Sequence, residues 1–169
     1  AMLALIEQTK QEGDTLGGAI SAVIHNLPAG FGEPVFGKLQ AQLAHAMMNI
    51  NSAKAFEYGE GIRSASLKGS EHNDAFVTKD NRIATATNHH GGILGGISSG
   101  EDIRFTVWLK PISSILHKQQ SVSMNLEETA IEIKGRHDVC AVPRAIPIVE
   151  AYTYITLADM LLQNKLSKI

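Results

Sequence analysis

The chain has 169 residues, enough for one domain that buries a sizeable core. Fifteen basic residues against seventeen acidic ones give a net charge of −2, which excludes a nucleic-acid binder driven by bulk positive charge. The single cysteine, Cys140, excludes an internal disulfide and a four-cysteine zinc site, and predicts a reducing, cytoplasmic setting.

Residues 2–11 place Leu3, Ile6 and Lys10 at helical spacing, and Gly13-Asp14 should stop that helix. The opening residues, Ala1 to Glu7, lack a basic n-region, so no signal peptide is expected. Residues 18–25 read as a strand with Ile20, Ala22 and Ile24 on one face, and Leu27 to Gly32 then force a loop. Phe36, Leu39, Leu43, Met47 and Ile50 form one apolar stripe, which predicts a helix over 34–50 with Pro34 in its first turn. Residues 53–58 read as a strand. Residues 68–90 are polar and punctuated, as in a long loop or flap.

Ile103, Phe105, Val107 and Leu109 alternate with Arg104, Thr106, Trp108 and Lys110, a strand with one buried face. A further strand is expected at 129–133, ended by Gly135. From Ala145 to Leu166 the chain is apolar nearly all round, a buried helix broken by Pro147 near its start, although Thr153, Ile155 and Thr156 also suit a strand. No apolar run approaches the roughly 20 residues of a membrane span, so no membrane partner is expected. Neither linker nor repeat divides residues 1–169, and helices mix with strands without βαβ alternation. The class is α+β.

Four places could carry chemistry. In Asn88-His89-His90-Gly91-Gly92-Ile93-Leu94-Gly95-Gly96-Ile97-Ser98-Ser99-Gly100 the glycines permit close backbone approach to a ligand or an anion nest, or simply a turn between strands. Lys110-Pro111-Ile112-Ser113-Ser114 sets a lysine beside two hydroxyls at a strand end, either a phosphate cradle or a solvated loop. In Gly135-Arg136-His137-Asp138-Val139-Cys140, Arg136 could bind an anion and Asp138 act as a base, or the two could form a surface ion pair. His72, His89 and His90 lack carboxylates or cysteines at metal-ligand spacing, so no metal is expected.

These stretches resemble the chorismate synthase family. Gly13-Asp14-Thr15-Leu16-Gly17-Gly18, the run Pro28 to Phe36, Ala46 to Ile50 and Gly91 to Ser98 resemble its motifs in order. Arg136 to Ala151 resembles its C-terminal signature. The likeness is to the family's C-terminal half; its Gly-x-Ser-His-Gly motif, two catalytic histidines and several substrate-binding arginines have no counterpart here. Ile112 stands where the family usually has threonine, Ser52 where alanine is common, and Tyr152 is bulkier than the signature expects.

The resemblance implies a lyase of the shikimate pathway, converting 5-enolpyruvylshikimate 3-phosphate to chorismate by trans-1,4 elimination of phosphate. It implies reduced FMN as cofactor, with NADP linked to flavin reduction in part of the family. It further implies a layered sandwich of antiparallel sheets and helices, present here in part, and a homotetramer. Carried over by position, Asp138 accepts a proton at flavin N5, while Asn51, Ser52, Gly95, Lys110, Pro111, Ile112, Ser113, Ser114 and Arg136 bind the cofactor. On this reading the isolated chain is inactive. The alternative is a non-catalytic flavin-binding or structural half that needs a separate partner.

Overall fold

The computed structural model describes residues 1–79 and 81–167. Helix α1 (Met2–Gln11) ends where expected: the N–H groups of Glu12 and Gly13 turn back onto the Gln8 and Lys10 carbonyls. Strand β1 (Gly18–Ile24) follows, then helix α2 (Leu39–Met48) and strand β2 (Ala53–Tyr58).

Helix α2 is shorter than its apolar stripe predicts. Gly37 at φ +74° and Lys38 in extended geometry keep Pro34 and Phe36 outside the helix, and Phe36 is 88% exposed. The first helical N–H, that of Leu39, instead finds the Gly96 carbonyl at 2.8 Å. That contact from a distant segment fixes the start, which local periodicity cannot encode. Leu39, Leu43, Met47 and Ile50 are buried as the stripe requires.

The presumed flap is built rather than loose. Preceded by a 3₁₀ turn at Gly61–Ser66, it contains a short helix α3 (Gly69–His72) and an antiparallel hairpin of β3 (Phe76–Lys79) and β4 (Arg82–Thr85). All four β3 residues are exposed, so no apolar alternation announces the strand.

A two-residue hairpin, β5 (Ile93–Leu94) with β6 (Ile97–Ser98), carries the glycines, and β7 (Ile103–Leu109) comes next. Strand β7 lies in the centre of a three-stranded antiparallel sheet, β1-β7-β2. Its Ile103, Phe105, Val107 and Leu109 are buried, as the alternation predicts, and Phe105 stacks on Phe56 at 5.5 Å. The opposite face carries Ser21, Arg104, Thr106 and Trp108, with the Ser21 and Thr106 hydroxyls 3.1 Å apart. A second hairpin, β8 (Gln119–Val122) with β9 (Glu128–Ile131), precedes the last helix.

Helix α4 (Val142–Leu166) packs with α2 on the apolar face of the sheet. Pro147 lies inside it and forfeits one hydrogen bond without ending the helix. Thr153 and Thr156 return their hydroxyls to the Val149 and Tyr152 carbonyls, the helical way of satisfying them. The expectation of burial all round does not hold. Only Ala145, Val149, Thr153 and Met160 are buried, while Ile146, Ile148, Tyr154, Ile155, Leu161 and Leu162 are exposed, because this sheet covers one face of the helix. The helix is also long and apolar enough to cross a membrane by length and composition, contrary to the reading of the sequence. Its buried stripe against β1 and α2 marks it as a core helix. The architecture is α+β, as expected.

Candidate functional site

Where β7 ends, the Lys110 N–H donates to the Ser52 carbonyl at 2.9 Å. That bond seats the Asn51-Ser52 turn, with Ser52 in the left-handed region at φ +73°, directly beside Lys110. Two residues on, the Ile112 carbonyl accepts the Thr15 hydroxyl at 2.6 Å. Gly17 lies so close to this strand end that a Cβ there would come within 2.6 Å of the Leu109 carbonyl. Lys110 to Ser114 therefore form a strap held from both sides, with Lys110, Pro111 and Ser113 exposed.

The 136–140 segment joins the strap through one cavity. The Leu16 N–H donates to the Val139 carbonyl at 2.7 Å, and Leu16 bridges Cys140. A cavity of about 420 Å³ is lined by Ile112, Arg136, His137, Asp138 and Arg144. Asp138 Oδ2 pairs with Arg144 Nη1 at 2.8 Å. The ion pair thus runs to Arg144 and not to Arg136, because Arg144 projects from the first turn of α4 back toward the segment that precedes it. Reading the sequence missed Arg144. Its six-residue separation from Asp138 spans an irregular segment and a helix start, so neither helical nor strand spacing flags it.

Gly95 occupies a different place. With Gly96 it makes the β5–β6 turn, at φ +60°, and nothing lies within 4 Å of the position of its missing Cβ. The Gly96 carbonyl caps the N-terminal end of α2, whereas Asn51 and Ser52 follow its C-terminal end. Ten helical residues, about 15 Å, separate them. Within this chain, then, Asn51 and Ser52 adjoin Lys110, Ile112 of the same strap shares a cavity with Arg136 and Asp138, and Gly95 stands apart on an open turn.

The histidines gather round a residue that sequence reading passed over. Asp74, with a side chain 5% exposed, accepts the backbone N–H groups of His89 and His90 at 2.9 Å each, the Thr87 hydroxyl at 2.6 Å, and the His90 imidazole. Burial raises its pKa, but these hydrogen bonds outweigh it and hold the carboxyl well below the usual range. The His72 and His89 rings lie 5.8 Å apart, tilted by 34°, and among the described residues no group of histidines and carboxylates has metal-binding geometry. Fifteen residues separate Asp74 from His89, so only the fold reveals the cluster.

The family profile described as chorismate synthase matches residues 1–162. Chorismate synthase of Bacteroides thetaiotaomicron is 51% identical over 168 residues, covering 99% of this chain and 47% of that protein. The protein of the same name from Parabacteroides distasonis is 51% identical over 164 residues, covering 97% and 46%. That from Methylacidiphilum infernorum is 48% identical over 160 residues, covering 95% and 44%. A solved structure described as a crystal structure of chorismate synthase superposes with a TM-score of 0.77 at 28% identity, over 96% of this chain and 42% of the other. The chain spans about half the length of the curated relatives it matches. It belongs to the chorismate synthase family.

Proposed function

We propose that the chain supplies the cofactor-facing part of a chorismate synthase. The reaction is trans-1,4 elimination of phosphate and a C6 hydrogen from 5-enolpyruvylshikimate 3-phosphate, assisted by reduced FMN. The observation that carries this reading is the cavity in which Arg136, His137, Asp138 and Arg144 meet Ile112 of the Lys110–Ser114 strap. Its volume falls in the range of cofactor pockets, about 300–1,000 Å³. Two guanidinium groups, an imidazole and a nearby lysine suit a planar, phosphorylated group, and the one carboxylate suits an N–H at its edge.

Bound here, reduced FMN would supply the electron-rich chemistry that assists phosphate departure without net oxidation. The chain's residues do the rest. Lys110, Ser113 and Ser114 offer cationic and hydroxyl donors on an exposed strap; Pro111 and Ile112 stiffen and line it. Asn51 and Ser52 complete the wall, which the Lys110–Ser52 bond keeps in register. Arg136 makes no ion pair among the described residues and remains available to an anion. Asp138, whose Oδ1 is left free by Arg144, would accept a proton from the bound flavin at its carboxylate. Gly95, on its open turn, is free to join the site of a second protomer, in keeping with a homotetramer; a cytoplasmic location is proposed from the family.

A second reading, a non-catalytic half that needs a partner, draws on the exposed apolar residues of α4. One experiment separates the two. The gene product carrying these residues is mixed with photoreduced FMN and substrate, and chorismate is followed at single turnover. Formation supports the enzyme, and loss of formation in Asp138→Asn supports the assigned site. FMN binding without turnover supports the partner-dependent half.

A further inference from the structure

We infer that Arg144 is the positioning residue for Asp138, an assignment that rests on the reading of Asp138 as the proton acceptor at flavin N5. The two side chains differ in how well they are anchored. Arg144 stands in the first turn of α4, a 25-residue helix packed on β1 and α2; its N–H donates to Ala141, and the next residue, Ala145, is buried. Asp138 stands in an irregular stretch between β9 and α4, where Leu16 holds the neighbouring Val139 and Cys140 but not Asp138 itself. Among the described residues the Asp138 carboxylate has one partner, the Arg144 guanidinium, at 2.8 Å. The helix therefore dictates the carboxylate's orientation through that single contact.

The contact occupies Oδ2 and leaves Oδ1 for proton transfer, and both residues line the same cavity. Side-chain exposures of 71% for Arg144 and 36% for Asp138 show that the pair is wet. Such pairs contribute little to stability, so holding the fold together is not what it does. Geometry is another matter, because a base displaced by about 1 Å can lose roughly 100-fold in rate. Arginine suits the task better than lysine, whose ammonium is more strongly hydrated and sits on a more flexible stem, so it would hold the single Oδ2 contact less firmly. Arg136, in the same cavity and without an ion pair among the described residues, stays free for an anion, which divides the two arginines by role.

The test is a double-mutant cycle in the gene product that carries these residues, with Arg144→Gln, Arg144→Lys, Asp138→Asn and the Arg144→Gln/Asp138→Asn double substitution. Two readouts serve it: single-turnover chorismate formation, and the dissociation constant of sulfite, which adds at N5 of bound oxidised FMN and bleaches its visible band. Arg144→Gln should slow turnover roughly 10–100-fold with KM little changed. It should also shift sulfite affinity about fivefold or more, within the range for groups in direct contact. In the Asp138→Asn background both effects should shrink to about twofold or less, and Arg144→Lys should recover only part of the loss. Effects of equal size in both backgrounds, or unchanged turnover and sulfite affinity, would overturn the assignment. A wild-type protein that neither binds FMN nor forms chorismate overturns the underlying reading, and this assignment with it.

Discussion

Asp74 grips His90 twice: its Oδ2 accepts the His90 backbone N–H at 2.9 Å, and the same carboxylate meets the imidazole Nδ1. With the His89 N–H on Oδ1, one buried carboxylate fixes the entry to the glycine-rich segment. Asn88 finishes the job, giving its amide N–H to the Asp102 carbonyl and taking the Gly92 N–H at 2.8 Å. The turn at Gly95 is therefore held from its base, while its tip stays open.

This grip makes stability depend on acid. Asp74 has a folded pKa depressed below its unfolded value, so its contribution is complete above the ordinary carboxylate range. It is lost as pH falls below about 4, where the unfolded chain takes up the proton first. Asp74→Ala at neutral pH should cost about 2–4 kcal/mol, since it leaves buried N–H groups without an acceptor. Denaturant melts from pH 7 to pH 3 should show a shallower acid slope in Asp74→Asn than in the wild type. Equal slopes would mean that other carboxylates carry the acid sensitivity.

Gly32 and Gly30 share nearly the same backbone, at φ +106° and φ +105°, and should differ sharply on substitution. A Cβ on Gly32 would come within 2.2 Å of the Gly96 carbonyl, the group that caps α2; one on Gly30 meets nothing within 4 Å. Gly30→Ala should cost only the conformational strain, about 1–2 kcal/mol. Gly32→Ala adds a collision between backbones and should cost several kcal/mol or prevent folding. Thermal melts of the two variants, compared side by side, check the ranking.

The parts of the molecule governed by short-range pattern could be read from its residues. Strand β7 and the buried stripe of α2 are periodic, and periodicity reports burial directly. What could not be read depends on contacts made far along the chain. The late start of α2 comes from Gly96, fifty-seven positions beyond Leu39. The bare face of α4 depends on what this sheet reaches, and apolar composition says nothing of that. At the candidate site, the strap and the Arg136–Asp138 segment were visible as motifs. The Arg144 partner and the Asp74 cluster were not, because each joins residues with no common helical or strand period.

FMN binding by the 169-residue polypeptide alone should be weak. Ile112 of the strap shares a cavity with Arg136, and the Asn51-Ser52 turn is bonded to the strap at Lys110, but Gly95 sits about a helix length from that turn. Part of the cofactor wall is thus missing from any single cluster, and charge-assisted contacts carry much of phosphate affinity. A flavin-fluorescence titration should give a dissociation constant well above micromolar, and no chorismate should form under single-turnover conditions. A tight one-to-one complex would show the cluster to be self-sufficient.

Asp138→Asn offers the sharpest test, because the geometry separates chemistry from stability. Asparagine keeps the shape and an oxygen for Arg144, and it removes the ability to take a proton. If Asp138 serves as the base, the chemical step should slow by roughly 100-fold or more, with substrate affinity little changed. A structural role would show itself in the melting temperature. The exposure of the Arg144 partner argues against a large effect there, since a solvated guanidinium loses little when its counter-ion is neutralised. The expected shift in stability is within about 1 kcal/mol. Single-turnover rates and thermal melts on the same preparation decide the matter. A normal chemical rate would remove Asp138 from the mechanism whatever the melt showed, and a slow rate in a protein of unchanged stability would assign it the proton.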